Sequence, residues 1–260
     1  MTESTDALVR RALDDRGVLT LTLNRPQAFN ALSEAMLAAL QGELDAALDD
    51  DSLRVVVLAG AGKAFCAGHD LKEMRADPSL GYYSRLFSQC SRVMLSIREL
   101  PVPVIARVHG IATAAGCQLV AQCDLAVASS EARFAVSGVN LGLFCSTPSV
   151  PLSRNVGQKE AFEMLVTGEF IDARQAQLRG LVNRVAEPDA LDAEIDKLVS
   201  SILAKPRVAV AMGKELFYRQ AELGIEAAYD AAGSTMACNM MDESALEGVQ
   251  AFIEKRTPRW

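Results

Sequence analysis

"PVPVIARVHGIATAAGCQLVAQCDLAVAS", Pro101–Ser129, decides how the chain is read. It opens on a β-prone apolar run, "VPVIARVHG", and passes through small residues into "TAAGCQLVAQC", which has helical character. It closes on a second apolar run, "DLAVAS". Continuous apolar strands on either side of a helix predict parallel pairing, because parallel strands are covered on both faces and need a crossover between them. The same order occurs upstream. "GVLTLTLNRP" (Gly17–Pro26) alternates like a strand and is stopped by Asn24 and Pro26. Leu37, Leu40, Leu44 and Leu48 then recur at helical spacing behind Ser33, a residue type suited to an N-cap. "LRVVVLAG" (Leu53–Gly60) is another apolar strand, and together these pieces write one βαβ unit.

The remaining elements follow in turn. "AGKAFCAGHDLKEM" reads as a loop, and a helix runs from about Ser84 to Leu100. "ARFAV" is a short strand, "GQKEAFEMLVTG" (Gly157–Gly168) a helix with a glycine stop, "DARQAQLRG" a helix and "LVNRVAE" a strand. From Asp189 the strand signal disappears and only helix-like segments follow. The expected organisation is an α/β core over residues 1–190 and a helical region over 191–260.

Composition narrows the function classes. Half of the 260 residues are hydrophobic and 23% are charged, as in an ordinary soluble globular protein. A net charge of −7 and no basic tract argue against nucleic acid as a partner, while leaving open a local pocket for an anion. The six cysteines form no CxxC pair, and with two histidines no metal site is expected; scattered thiols in a reducing compartment are. "MTESTDALVRRALDD" has no apolar core of a secretory signal, and no apolar run approaches the roughly 20 residues of a membrane span. A cytoplasmic location with no membrane partner is the expectation.

Two loops combine small residues with a strand-to-helix transition. In "AFCAGHDL", Ala67 and Gly68 follow the strand ending near Gly60; in "TAAGCQ", Ala114, Ala115 and Gly116 follow the strand ending near His109. Small residues at helix starts expose backbone N–H groups, and two such groups converging on a carbonyl oxygen make an oxyanion hole. Small residues in such turns also serve close packing, and these loops taken alone leave both readings open.

In order and spacing, "LNRPQAFNAL", "AFCAGHDLKEM", the Pro101–Ser129 stretch, "ARFAVSGVNLGLF", "AFEMLVTGEFIDARQAQLRGLVNRV" and "AFIEKRTPRW" resemble the crotonase, or enoyl-CoA hydratase/isomerase, superfamily. "ATAAGCQLVA", "GVN" and "GLFCSTP" are similar to its enoyl-CoA hydratase domain-containing subgroup. The resemblance implies an α/β fold, a ββα superhelix core with a helical C-terminal trimerisation region. It implies a homotrimer or dimer of trimers and an acyl-CoA thioester as ligand, the CoA moiety belonging to the substrate and no prosthetic group being bound. It places the N–H groups of His69 and Ala115 at the oxyanion hole and Ala28 and Ala67 on loops that cradle CoA. Lys255 matches a basic residue that reaches a neighbouring subunit's CoA phosphates.

The resemblance also implies a loss. Members that hydrate enoyl-CoA carry two glutamates, and the matching positions here are Gln118 and Gly138. An amide does not exchange a proton at neutral pH and glycine offers only backbone, whereas general acid–base assistance contributes about 10²–10⁴-fold. The expectation is a protein that binds acyl-CoA and stabilises a thioester enolate, with ordinary hydration disfavoured. Two alternatives stand beside it. A malonyl-type decarboxylase fits "AGHD" and "VNLG", although that branch has a tyrosine where Cys145 stands; a non-catalytic acyl-CoA-binding scaffold fits the missing carboxylates. Gln118 reads either as a helix residue satisfied by its surroundings or as a ligand-orienting amide, and Gly138 as a turn glycine. The His69 ring either lines the pocket or titrates in it, and His109 reads as structural.

Overall fold

A computed structural model describes residues 7–260; the part of the N-terminal reading that rests on Met1–Asp6 lies outside the described residues. Two sheets are interleaved along the chain. The first contains β1 (Val9–Leu13), β2 (Val18–Leu23), β3 (Val55–Gly60), β5 (Val104–Val108), β7 (Leu125–Ser129) and β10 (Arg184–Ala186), in the order β1-β2-β3-β5-β7-β10. The second contains β4 (Ala64–Cys66), β6 (Ile111–Thr113), β8 (Arg133–Ala135) and β9 (Ile171–Asp172), in the order β4-β6-β8-β9. β3–β4, β5–β6 and β7–β8 each give one strand to each sheet before a helix follows, which is the ββα superhelix of the expected fold class. β2 pairs parallel with β3 and β5 pairs parallel with β7, as the apolar runs predict.

β8 and β10 fall within the strands read at "ARFAV" and "LVNRVAE", but other short strands escape the sequence reading. The stretch read as a loop, "AGKAFCAGHDLKEM", contains β4 and the helix α2 (Leu71–Ala76), and β6 lies between His109 and Ala114. Three residues are too few to show a period of two. β1, antiparallel to β2, is masked similarly, since only Val9 of its five residues is buried. α1 (Glu34–Leu48) starts as expected, with Ser33 Oγ accepting from Met36 N at 3.1 Å. Leu37, Leu40 and Leu44 are buried beneath it, whereas Leu48 in the last turn is exposed. α3 (Leu80–Glu99) begins four residues before Ser84, because Ser79 caps it at Tyr82 N.

The main core lies where α1, α3 and α4 (Ala115–Gln122) meet the sheets, around Leu19, Leu21, Leu40, Phe65, Val93 and Phe134. Next along the chain come α5 (Ser146–Asn155), α6 (Gln158–Thr167) and α7 (Ala173–Leu178). α6 stops at Gly168 with φ 64°. α8 (Leu191–Leu203) covers the other face of the first sheet: Leu191, Ile195 and Val199 pack on Val57, Ile105 and Val127. α9 (Arg207–Gln220), α10 (Ile225–Met240) and α11 (Glu243–Ile253) complete the chain. α10 and α11 leave Ile225, Tyr229, Met236, Phe252 and Ile253 exposed. Among the described residues no helix is long and apolar enough to cross a membrane.

One buried ion pair ties the helical region to the core. Lys214 Nζ on α9 donates to Ile97 O and Val102 O at 2.9 Å and to Asp124 Oδ2 at 2.7 Å, so all three ammonium protons are used. Asp124 in turn accepts from Val104 N at 2.6 Å and Tyr218 OH at 2.7 Å. Burial pushes the Lys214 pKa down, and the Asp124 carboxylate opposes that shift. A buried pair of this kind is costly to break because one charge is left uncompensated, typically by about 3–5 kcal/mol. Lys214→Met is therefore expected to lower unfolding free energy by about 3 kcal/mol in urea titration, and Lys214→Met with Asp124→Leu to recover part of that loss.

Candidate active site

Three loops meet at one place, and a buried amide holds the first of them. Asn30, fully buried at φ 56°, donates from Nδ2 to Ala61 O and Ala64 O at 2.8 Å and to Phe65 O at 3.2 Å. Its Oδ1 accepts from Arg25 N at 2.9 Å. The segment carrying Ala28 is thereby fixed to the end of β3 and to β4. Asparagine tolerates this left-handed conformation better than most residues. Ala67 N then donates to Phe29 O at 3.0 Å, and Thr113 Oγ1 donates to Ala67 O at 3.0 Å. Across the loops, Arg25 pairs with Asp70 at 2.7 Å.

The local backbone leaves two N–H groups free of protein partners. Leu32 pairs parallel with His69: Leu32 N donates to Gly68 O at 2.7 Å, and Asp70 N to Leu32 O at 3.4 Å. In a parallel bridge the central residue bonds to the neighbours of its partner, so the N–H of His69 points away from Leu32. Ala115 is the first helical residue of α4, and its N–H has no acceptor within the helix. The cap residue, Ala114, has φ 49° and ψ −119° and supplies no side-chain cap. That is a sparsely populated conformation for a residue with a Cβ. Gly68, at φ 93°, brings the loops together: a Cβ built on it lies 3.0 Å from Ala114 Cβ and 3.4 Å from Ala115 N. A Cβ on Gly116 would overlap the Cys66 carbonyl, so the first turn of α4 presses directly on β4.

Two side chains at this junction each have a buried polar atom without a hydrogen-bond partner among the described residues. His69 Nδ1 lies 3.2 Å from Leu32 O; a carbonyl only accepts, so Nδ1 carries the hydrogen and Nε2 the lone pair. Nε2 is shielded from solvent and unpartnered, and the ring meets Phe87 edge-on at 5.5 Å. Burial pushes its pKa below the ordinary histidine value. Gln118, only 3% exposed, has an unpartnered Oε1. Gln118 lies three residues after Ala115 on the same helix face, and helical side chains lean toward the N-terminus.

Gly138 stands apart from these. It lies in a 3-10 turn over Ser137–Leu141, and its N–H donates to Cys145 Sγ at 3.3 Å. A Cβ there would lie 2.5 Å from Leu143 O and 2.7 Å from Cys145 Sγ, so the turn has no room for a side chain. Burial pushes the Cys145 thiol up, and it is protonated at neutral pH. Lys255 ends α11 at φ 56°, exposed, with its N–H bonded locally to Phe252 O. His109 Nε2 lies 2.9 Å from Gly62 O, a bond between loops that suits its structural reading. Asn30, Thr113 and Phe87 were not picked out from the sequence. Only Asn30 carries a signal there, as an asparagine in a turn of small residues.

A cavity of about 1020 Å³ lies elsewhere, lined by Arg54, Lys205, Arg207, Glu247, Arg256 and Trp260. None of the loop residues lines it, and two of the unpartnered buried groups, His69 Nε2 and Gln118 Oε1, are at the loop junction, which is the better candidate for chemistry. Among the described residues no group of three or more histidine, cysteine or acidic side chains is placed to hold a metal ion.

Comparison with known proteins agrees on one family. The sequence model described as Enoyl-CoA hydratase/isomerase matches residues 14–260. Enoyl-CoA hydratase domain-containing protein 3, mitochondrial, of Xenopus laevis is 45% identical over 246 residues, 95% of this chain and 84% of that protein. A solved enoyl-CoA hydratase of Mycobacterium smegmatis is 71% identical, with a TM-score of 0.96, covering 97% of this chain and 98% of that one. Human enoyl Coenzyme A hydratase domain-containing protein 3 is 43% identical, with a TM-score of 0.93, covering 97% of this chain and 100% of that one.

Two outcomes are expected. Gly138→Ala should cost about 2 kcal/mol or more of stability in chemical denaturation, because overpacking against backbone is not relieved by a rotamer change; Gly138→Glu should cost at least as much. The two histidines set the second. Burial lowers the pKa of both His69 and His109 from 6.5, so both are neutral above that value in either state. As pH falls below it, the unfolded chain binds protons that the folded chain refuses, and stability drops. Melting temperature should fall between about pH 7 and pH 5, and His69→Gln with His109→Gln should flatten that fall.

Proposed function

Because the chain belongs to the enoyl-CoA hydratase/isomerase family, we propose that it binds acyl-CoA thioesters and stabilises a thioester enolate. The observation that carries this reading is the pair of unpartnered N–H groups, His69 and Ala115, on adjoining loops. Preorganised donors of this kind stabilise a developing oxyanion by several kcal/mol. Ala28 and Ala67, joined through the Ala67–Phe29 hydrogen bond, would cradle the CoA moiety of the substrate, with no prosthetic group required. Lys255 would serve the CoA phosphates of a neighbouring subunit. The exposed apolar residues of α10 and α11 support a homotrimer or dimer of trimers, with residues 1–190 bearing the site and 191–260 the oligomer contacts. A cytoplasmic location is part of the proposal; the frog relative is named as mitochondrial.

Ordinary hydration of an enoyl-CoA does not fit. Gln118 cannot take a proton from water, and the turn at Gly138 excludes a carboxylate side chain. Decarboxylation of a malonyl-type thioester is the second reading. It needs an oxyanion hole and a proton donor, and the protonated Cys145 thiol lies beside Gly138. A non-catalytic acyl-CoA-binding scaffold is the reading left if neither reaction occurs.

Calorimetry with butyryl-CoA and crotonyl-CoA tests binding, and crotonyl-CoA turnover tests the chemistry. Both thioesters should bind, with hydration at least about 10²-fold slower than in a hydratase bearing both carboxylates. No binding would overturn the reading as a whole; hydration at ordinary rates would overturn the role given to Gln118 and Gly138.

A further inference from the structure

The functional reading uses only the backbone of His69. Its ring is left with a buried nitrogen that no protein group satisfies. An unsatisfied buried acceptor is costly, and such groups in a native fold call for an explanation. Here the tautomer is settled by Leu32 O, which can only accept from Nδ1, so Nε2 is an acceptor and a base. The Gln118 amide does not share this property, because its oxygen and nitrogen can exchange places by a flip.

We propose that the imidazole of His69 is a catalytic base: Nε2 removes the α-proton of a bound acyl thioester and returns it. The assignment rests on the reading that the N–H groups of His69 and Ala115 hold the thioester oxygen. Ring and N–H belong to one residue, and the α-carbon is two bonds from the oxygen, so a thioester held by these N–H groups brings its α-carbon to the residue that carries the ring. In the forward step the Cα–H bond breaks and an Nε2–H bond forms. The Cα–H electron pair becomes the new C=C bond, and the carbonyl π pair moves to the oxygen between the two N–H groups. The reverse step restores the thioester, and no co-reactant is consumed.

The surroundings favour this residue over its neighbours. Ala28, Ala67 and Ala115 have no titratable group, Gln118 is an amide, Gly138 has no side chain and Cys145 is held protonated. The charged groups on adjoining segments are engaged: Asp70 with Arg25 at 2.7 Å, and Glu73 with Glu34 N at 3.0 Å. From α3 the ring meets Phe87, which stacks in turn with Tyr83. Burial keeps the imidazole neutral, and Leu32 O remains in place to accept from Nδ1 when the ring is charged.

Exchange of the butyryl-CoA α-protons in D2O, followed by proton NMR and mass spectrometry, tests the assignment. The wild-type protein should catalyse exchange at a rate that is flat around neutral pH and falls only below the ordinary histidine range. His69→Gln and His69→Ala should each lose about 10²-fold or more of the exchange rate, compared at the saturation that calorimetry with butyryl-CoA gives for each variant. Free imidazole should restore exchange in His69→Ala, a rescue that a purely structural role would not produce. Butyryl-CoA bound without exchange in the wild type, or exchange undiminished in both variants, overturns the assignment alone. Failure of the wild type to bind butyryl-CoA overturns the functional reading and this assignment with it.

Discussion

The site depends on the hydrogen bonds of one buried side chain. Asn30 joins the loop after β2 to Ala61, just past β3, and to Ala64 and Phe65 of β4 through three backbone carbonyls, and accepts from Arg25 on its other side. The register of β4 against β6 shifts between Ala64 and Cys66, and leaving carbonyls there buried and unpaired would be costly. With Asn30 in place, Phe29 O is positioned for Ala67 N, Ala67 O for Thr113 Oγ1, and Leu32 for its bridge with His69. The chain of bonds runs through all three loops, and the two N–H groups are presented as its by-product.

Buried polar groups in this protein differ in how far the protein satisfies them, and Tyr82 OH and His109 Nδ1 are unpartnered as well. Lys214 and Asp124 are buried charges, yet every proton of the ammonium and both oxygens of the carboxylate have partners. Such a network is stable because nothing in it is left to solvent or ligand. His69 Nε2 and Gln118 Oε1 are equally buried and have none. The difference lies in geometry rather than residue type, since a histidine or glutamine could be satisfied elsewhere in the same fold.

The turn over Ser137–Leu141 shows that the altered second position is built into the backbone. Leu143 O and the Cys145 thiol occupy the space into which a side chain at Gly138 would project. Glutamine at 118 differs from a glutamate by one atom and fits the same volume, whereas a side chain at 138 would meet the Leu143 carbonyl and the Cys145 thiol. The two positions are therefore unequal in how readily a carboxylate fits.

The long apolar strands, the helices and their order were legible in the sequence because each has enough residues to show its period. The β2–α1–β3 unit, the Ser33 cap and the Gly168 stop all follow from local rules that neighbouring residues carry with them. β4, β6 and β9 have two or three residues each, too few for a pattern, and they exist only because the first sheet aligns them. The small residues of "AFCAGHDL" and "TAAGCQ" pointed to exposed N–H groups, but not to which ones. That was decided by the Leu32–His69 bridge, the left-handed Ala114 and the contact of Gly116 with Cys66, all between residues distant in sequence. The sequence by itself determined the elements, the fold class and the absence of glutamates at 118 and 138. Only the tertiary structure decided that His69 Nε2 is shielded and unpartnered among the described residues and that residue 138 has no room to be anything but glycine, because satisfaction and space are properties of what surrounds a residue.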